Sequence, residues 1–286
     1  MFTSVEHTRQ VLAEHGYIAD VGLSTSIFLS TRMSKALFLE GEPGVGKTEI
    51  AKVLSAIADA PLIRLQCYEG IDISQAVYEW NYQHQLLEMQ AGGSKDDIFS
   101  ERFLLKRPLL QAIDASRDKP TVLLIDEIDR ADEEFESYLL ELLSDYQITI
   151  PEIGTLRAKH KPIVIITSNR TREIHDALKR RCAYCWIDYP SREKEIEILR
   201  RKAPGTGAHL AQQVVDFVQA VRKLELYKLP GVAETLDWAE ALRHLNAQSL
   251  DAATVNQTLG MILKYQDDVD KVRGGVAETL VAQVTT

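Results

Sequence analysis

Short apolar runs alternate with longer amphipathic stretches along the first two thirds of the chain. In the longer stretches the apolar residues recur at helical spacing, which predicts amphipathic helices. The short runs predict β-strands. Such alternation is typical of the α/β fold class, in which helices cover both faces of a parallel sheet. Five strands are predicted for that sheet, at residues 36–40, 62–66, 121–126, 163–168 and 184–189.

The pattern changes at Pro190, after which only helical periodicity remains. We therefore divide the chain into an α/β domain over residues 1–190 and a small helical domain over residues 191–286. Pro/Gly segments punctuate the helical part, as they do between helices generally. Its helices are predicted at 192–202, about 208–224, from about 232 onward, and at about 255–272.

Two segments of the α/β part interrupt the simple alternation. Residues 70–119 are too many for one crossover helix, so we predict an insert over about residues 70–95. Its cluster of aromatic residues is interpreted either as a protein-binding surface or as core. Residues 147–160 combine strand-like alternation with a PEIG turn, which predicts a hairpin.

The composition is that of an ordinary globular protein, with 45% hydrophobic and 26% charged residues. A net charge of −9 argues against a protein that mainly coats nucleic acid or anionic membrane, because phosphate neutralisation needs surplus Lys and Arg. No apolar run reaches the roughly 18 residues of a membrane span, and the first residues resemble neither a signal nor a transit peptide. We expect a cytoplasmic protein.

Two of the three cysteines, Cys182 and Cys185, have C-x-x-C spacing. A structural zinc site needs further ligands, and no second such motif is present to supply them. A redox motif would begin a helix, whereas the alternation of residues 184–189 predicts a strand. We interpret the thiols as half-buried groups that flank a strand, and a role in metal handling stays open.

The sequence GEPGVGKT at 41–48 follows a predicted strand and precedes a predicted helix. This motif lets backbone amides face phosphates, while its lysine reaches the β and γ oxygens and its threonine binds Mg²⁺. ATP and Mg²⁺ are therefore the predicted cofactors. The predicted nucleotide-binding residues are Glu42, Pro43, Gly44, Val45, Gly46, Lys47, Thr48 and Glu49.

Polar residues end the next two buried strands. In TVLLIDEIDR, Asp126 is predicted to join Thr48 in holding Mg²⁺, and Glu127 to polarise the attacking water. In IVIITSNR, Asn169 is predicted to orient that water or to contact the γ-phosphate. Asp129 and Arg130 are interpreted either as a solvated turn or as a surface that faces a neighbouring subunit.

The order GEPGVGKT, LLIDE, TSN and LKRRC, over roughly residues 5–270, resembles the AAA+ ATPases and specifically their MoxR-type branch. The resemblance implies an AAA+ P-loop fold with a helical lid, and a homo-oligomeric, hexameric ring. It also implies that an arginine reaches the ATP of the next subunit, which places this role on Arg180 with Arg181 as second candidate. GYIAD at 16–20 resembles the family's adenine-side segment, which puts Tyr17 and Ile18 near the base.

One position departs from the family pattern. Members usually carry an arginine at the start of the third lid helix, where this chain has Glu234 and Thr235. Lys228, just before that helix, is a candidate substitute.

The segments LIRLQCYEGIDISQAVYEWNYQHQLLEMQ and GVAETLDWAEAL look most like the CoxD-like proteins of the MoxR branch. This implies an ATP-driven chaperone that helps to mature a carbon monoxide dehydrogenase-like metalloenzyme, with a von Willebrand factor A domain protein as partner. The alternatives are an activase of Rubisco or nitric oxide reductase, a DNA-remodelling AAA+ ATPase and a non-hydrolysing nucleotide-gated scaffold. The acidic charge and the lack of a basic stripe argue against nucleic acid as partner.

Overall fold

The structure, a computed structural model, describes residues 1–92, 98–116 and 119–285. Residues 93–95 of the predicted insert lie outside the described residues. The chain divides into two compact units. The first consists of Met1–His15, Ala19–Gly41 and Lys47–Trp186, and the second consists of Gly16–Ile18, Glu42–Gly46 and the residues from Ile187 onward.

The first unit is built on a parallel sheet of five strands, which confirms the predicted α/β fold class. In chain order the described strands are β1 (Ala36–Gly41), β2 (Leu62–Gln66), β3 (Tyr78–Trp80), β4 (Leu104–Lys106), β5 (Val122–Asp126), β6 (Gln147–Ile150), β7 (Gly154–Arg157), β8 (Ile163–Ser168) and β9 (Cys182–Ile187). The main sheet has the order β2-β5-β8-β1-β9. Strand β9 begins and ends two residues before the predicted strand at 184–189, and Cys182 at its start packs against the core.

Helices surround this sheet. Those described in the first unit are α1 (Val5–Glu14), α2 (Val21–Met33), α3 (Lys47–Ala58), α4 (Ile73–Ala76), α5 (Tyr82–Gln90), α6 (Pro108–Ala115), α7 (Glu133–Asp145) and α8 (Asp176–Lys179). Strands β1 and β5 are buried along their whole length, since a central parallel strand is covered on both faces. The edge strand β2 instead leaves Arg64 and Gln66 exposed, so these two polar side chains lie beside the end of β5.

The predicted insert contains α4, β3 and α5, and β3 pairs with β4 in a small antiparallel sheet that the sequence did not reveal. Its aromatic residues divide between the two interpretations. Trp80 is buried in the core, whereas Tyr68 and Tyr82 are exposed. The predicted hairpin is present as the antiparallel pair β6–β7, with Ile148 and Ile150 facing the core.

The described part of the second unit is helical from Arg192 onward, with a core of its own. Its helices are α9 (Arg192–Lys202), α10 (Ala208–Val221), α11 (Val232–His244), α12 (Ala252–Ile262), α13 (Gln266–Val272) and α14 (Gly275–Thr285). The single helix predicted at about 255–272 is wrong, because the chain becomes extended at Leu263, which is buried in the core of this unit. Gly260 lies inside α12, and residues 263–265 between the two helices include neither Pro nor Gly, so the sequence carried no clear signal for the break.

A buried ion pair joins three helices of the second unit. The guanidinium of Arg222 donates to both carboxylate oxygens of Glu195, at 2.6 and 2.7 Å, and the two side chains are 6% and 0% exposed. Thr235 also donates to Glu195 at 2.8 Å, and Arg222 donates to the carbonyl of Pro230 at 2.7 Å. The start of α11 is thereby fixed to α9 and to the end of α10.

Replacing Arg222 with alanine is expected to destabilise this unit strongly, because it leaves the Glu195 carboxylate buried without its cation. The expected loss is about 3–5 kcal/mol of the free energy of unfolding, measured by urea denaturation followed by circular dichroism. Arg273→Ala is the matched control, since its ion pair with Asp270 lies on the surface and is worth less than about 1 kcal/mol. Equal losses in the two variants would contradict the assigned role of the buried pair.

Candidate nucleotide-binding and active site

The predicted phosphate loop connects β1 to α3. Gly44 and Gly46 have φ angles of +77° and +94°, a left-handed conformation that glycine adopts without steric cost. Space is limited as well, because a Cβ at Gly44 would lie 2.9 Å from a carboxylate oxygen of Glu234. The loop therefore needs glycine at Gly44 both for its turn and for the close approach of a neighbouring side chain.

Lys47 and Thr48 lie at the beginning of α3, where unpaired amides and the helix dipole favour an anion. Lys47 is buried, and its Nζ donates to the carbonyl of Gly41 at 2.6 Å. The hydroxyl of Thr48 donates to Oδ1 of Asp126 at 3.1 Å. The predicted magnesium pair, Thr48 and Asp126, is therefore in direct contact.

Asp126 ends β5 and is buried, but several donors surround its carboxylate. Besides Thr48, the hydroxyl of Thr167 on β8 donates to Oδ1 at 2.5 Å, and Arg64 on β2 donates to Oδ2 at 2.5 Å. A carboxylate and a hydroxyl are the hard oxygen ligands that suit Mg²⁺. The residues at this point fit the predicted metal.

Glu127 has φ +55°, which is uncommon for a residue with a side chain. Its backbone amide donates to Thr167 at 2.9 Å, a hydrogen bond that helps to hold this conformation. Its carboxylate accepts from Asn169 at 3.3 Å and from Gln66 at 3.0 Å, and it forms an ion pair with Arg130 at 3.3 Å. The structure thus brings together the two predicted water-handling residues, Glu127 and Asn169, at neighbouring strand ends.

Asp129 is buried and does not belong to a solvated turn, so that interpretation was wrong for this residue. Its carboxylate accepts from the backbone amides of Asn169 at 3.1 Å and Thr171 at 2.9 Å. Asp129 therefore fixes the loop that carries Asn169. Arg130, in contrast, is largely exposed beside Glu127.

Four residues that hydrogen-bond to Asp126, Glu127 or Asn169 were not predicted from the sequence to take part in the site. Gln66 and Arg64 alternate along β2, and this period of two at an edge strand next to the acidic strand is the signal that could have indicated them. Thr167 and Asp129 gave no comparable signal, because their roles depend on how two strand ends meet.

The second unit contains the loop residues Glu42–Gly46 together with Tyr17 and Ile18. The ring of Tyr17 lies near Gly46, since a Cβ at that glycine would be 3.9 Å from a ring carbon. The placement of Tyr17 and Ile18 beside an adenine stays a prediction.

The departure at Glu234 has a structural consequence in the same unit. The carboxylate of Glu234 accepts from the amide of Gly231 at 2.9 Å and so caps the start of α11. Next to it, the amide of Ala233 donates to the carbonyl of Gly44 in the phosphate loop at 3.2 Å. An acidic side chain therefore lies beside the loop at the position where the family resemblance implies an arginine.

The two candidate arginines differ in their surroundings. The side chain of Arg180 is 82% exposed, and its contact with Asp176 is a distant one at 4.0 Å. Arg181 donates to the hydroxyl of Ser144 at 2.7 Å and to the carbonyl of Ala177 at 2.8 Å. Arg180 therefore extends into solvent, whereas Arg181 is held by contacts within the chain.

Burial affects two of the three thiols. Burial raises the pKa of the Cys182 thiol to about 12, and burial together with the nearby charge of Asp126 raises the pKa of Cys67 to about 12. Both thiols are therefore protonated at neutral pH, whereas a cysteine nucleophile reacts as the thiolate. In the part of the chain that the structure describes, no cluster of three or more His, Cys, Asp or Glu side chains could hold a metal ion. The same residues include no helix that is long and apolar enough to cross a membrane.

The family model described as AAA domain (dynein-related subfamily) matches residues 36–182, slightly more than half of the chain. The protein belongs to this family. This finding confirms the expected AAA+ class of ATPases, while the MoxR-type branch stays a prediction.

Similar proteins include uncharacterized proteins of Staphylococcus aureus. Those of strain USA300 and of strain bovine RF122 / ET3-1 are each 25% identical over 199 residues, which cover 67% of this chain and 70% of the relative. Among solved structures, the match to one mutant of Thermotoga maritima RuvB covers 94% of this chain and 73% of the RuvB chain, with 16% identity and a TM-score of 0.49. The match to a second RuvB mutant covers 90% of this chain and 71% of the RuvB chain, with 15% identity and a TM-score of 0.47.

Proposed function

We propose that the protein hydrolyses ATP with Mg²⁺ and works as a ring of identical subunits, hexameric by resemblance to its family. One observation carries the hydrolytic part of the proposal. Glu127 and Asn169 contact each other at 3.3 Å, and the adjacent Asp126 contacts Thr48 at the start of α3. The residues that we propose as general base, as orienting group and as metal ligands therefore lie at one edge of the sheet.

In this mechanism the amides of the phosphate loop and Lys47 bind the phosphates, with Glu49 in the first turn of α3. Thr48 and Asp126 hold Mg²⁺, which when bound neutralises charge on the β and γ oxygens. The carboxylate of Glu127 accepts a proton from the attacking water as the water oxygen bonds to the γ-phosphorus. The bond between that phosphorus and the β–γ bridging oxygen breaks in the same reaction, so that ADP and phosphate are the products. Asn169 orients that water through its side-chain amide, and the positions of both groups are fixed by hydrogen bonds to Thr167 and Asp129.

Catalysis is completed by a second subunit. The exposed Arg180 places its guanidinium against the γ-phosphate of its neighbour and stabilises the charge of the transition state. Arg181 instead keeps the end of α8 attached to α7 through Ser144.

The client is proposed from sequence resemblance to be a metalloenzyme of the carbon monoxide dehydrogenase type, matured with a von Willebrand factor A domain partner. Exposed apolar side chains on α5 support a protein client, because exposed apolar patches commonly bind proteins. They are Tyr82, Leu86, Leu87 and Met89. The net charge of −9 disfavours the alternative of a DNA-remodelling ATPase. An increase of the ATPase rate on addition of DNA would favour that alternative again.

The test is the steady-state ATPase rate measured against protein concentration, with molecular mass followed by light scattering. We expect the rate per subunit to rise as a ring assembles with nucleotide, because the site is completed in trans. Lys47→Ala, which lacks the phosphate-binding amine, is the inactive control at every concentration. Full activity in a monomer would refute the shared site, and no hydrolysis in an assembled ring would favour the non-hydrolysing scaffold.

A further inference from the structure

The carboxylate of Asp126 is already occupied by a cation of this chain. An Nη of Arg64 lies 2.5 Å from Oδ2 of Asp126, with the arginine side chain 53% exposed and the aspartate 4% exposed. Both strands are parallel neighbours, and Arg64 stands opposite Leu124, two residues before Asp126 in the register. A long side chain from the edge strand therefore reaches the buried acid from the solvent side.

This ion pair lies at the predicted metal position. Oδ1 of Asp126 accepts hydrogen bonds from the hydroxyls of Thr48 and Thr167. The other carboxylate oxygen, Oδ2, accepts from Arg64. A guanidinium and a divalent cation on one carboxylate repel each other, and that repulsion is strong in a partly buried site. Arg64 has an exposed path on which to leave, whereas Asp126 is fixed at its strand end.

The same arginine is also linked through hydrogen bonds to Glu127, the proposed general base. An Nη of Arg64 donates to Oε1 of Gln66 at 2.5 Å, and Nε2 of Gln66 donates to Oε2 of Glu127 at 3.0 Å. Arg64 thereby fixes which end of the Gln66 amide faces Glu127. One guanidinium holds Asp126 directly and Glu127 through a single intermediate.

We propose that Arg64 is a latch that occupies Asp126 in the metal-free protein and is displaced when Mg²⁺ binds. The inference rests on the proposed Mg²⁺-dependent function of this site. Arg64 acts here as a positioning residue, since its contacts are with Asp126 and Gln66. Two consequences follow: Arg64 weakens Mg²⁺ binding, and it stabilises the protein when Mg²⁺ is absent.

The first arm of the test measures Mg²⁺ dependence. A fluorescent, non-hydrolysable ATP analogue is titrated with Mg²⁺ on the wild type, Arg64→Gln and Arg64→Lys. Removing the repelling charge is expected to lower the half-saturating Mg²⁺ concentration about five- to tenfold in Arg64→Gln, while Arg64→Lys stays near the wild type. Arg102→Gln is the matched control, because Arg102 is an exposed arginine of the same unit paired with Glu88 at 3.0 Å.

The second arm measures the melting temperature with EDTA and with Mg²⁺ alone. In EDTA, Arg64→Gln is expected to have a lower melting temperature than the wild type, because Asp126 loses its cation. Addition of Mg²⁺ is expected to raise the melting temperature of Arg64→Gln by more than it raises that of the wild type. The latch is refuted if Arg64→Gln has the half-saturating Mg²⁺ concentration of the wild type and its melting temperature rises no more with Mg²⁺ than that of the wild type. Arg64 would then form only a structural ion pair with Asp126. Failure of the wild type to bind the analogue at any Mg²⁺ concentration would refute the proposed function instead, and the melting arm would still decide the fate of the latch.

Discussion

Glu127→Gln is expected to bind ATP and keep the ring while losing about 10²–10⁴-fold in turnover, the usual contribution of a general base. Glutamine preserves the length and shape of the side chain, so it keeps the backbone at φ +55° and leaves its hydrogen bond to Thr167 undisturbed. What it removes is the carboxylate that accepts the proton of the attacking water. Single-turnover hydrolysis, with binding of a fluorescent nucleotide measured in parallel, separates these effects.

The control for this variant is Glu134→Gln, which makes the same chemical change at an exposed position in the first turn of α7. It is expected to hydrolyse ATP at the wild-type rate. Wild-type hydrolysis by Glu127→Gln would remove Glu127 from the mechanism, even though the structure places it beside Asn169.

The main parts of the fold and site were predictable because they follow from local patterns. Buried parallel strands are continuous apolar runs, so their ends are visible in the sequence, and functional side chains commonly gather at the carboxyl ends of such strands. Asp126, Glu127 and Asn169 could therefore be selected by position alone. The phosphate loop was equally evident, because its glycines and Lys47 occur at fixed spacing between a strand and a helix.

The supporting contacts were not predictable in the same way. The alternation of Arg64 and Gln66 along β2 indicates an exposed polar face, but their roles depend on β2 being the neighbour of β5. The order of strands in a parallel sheet is set by crossovers that leave no local signature. The role of Asp129 could not be decided because a carboxylate in a short polar turn resembles a solvated residue until the amides that it accepts from are known. The end of α12 was missed for a related reason, since burial of Leu263 in the core, rather than a breaker residue, stops the helix.

The second large effect is expected from Arg180→Ala, which should lower turnover by about 10³–10⁵-fold if this arginine stabilises transition-state charge on the neighbour's ATP. Its side chain is 82% exposed, and the ion pair that it forms in the described part of the chain is a distant one with Asp176 at 4.0 Å, so its removal should leave the subunit folded. Arg181→Ala is the matched control, because Arg181 donates to Ser144 and Ala177 of its own subunit and is expected to affect stability more than chemistry.

Mixed rings distinguish a guanidinium that acts in trans from one that acts within its own subunit. Arg180→Ala subunits retain a complete nucleotide site, and Lys47→Ala subunits retain Arg180 but lack the amine that binds phosphate. When the two variants are combined, an Arg180→Ala site that faces the arginine of a Lys47→Ala neighbour should regain activity, although each variant alone is inactive. If mixtures that form rings by light scattering show only the sum of the separate rates, Arg180 does not serve the neighbouring site, and the loss in Arg180→Ala has to arise within its own subunit.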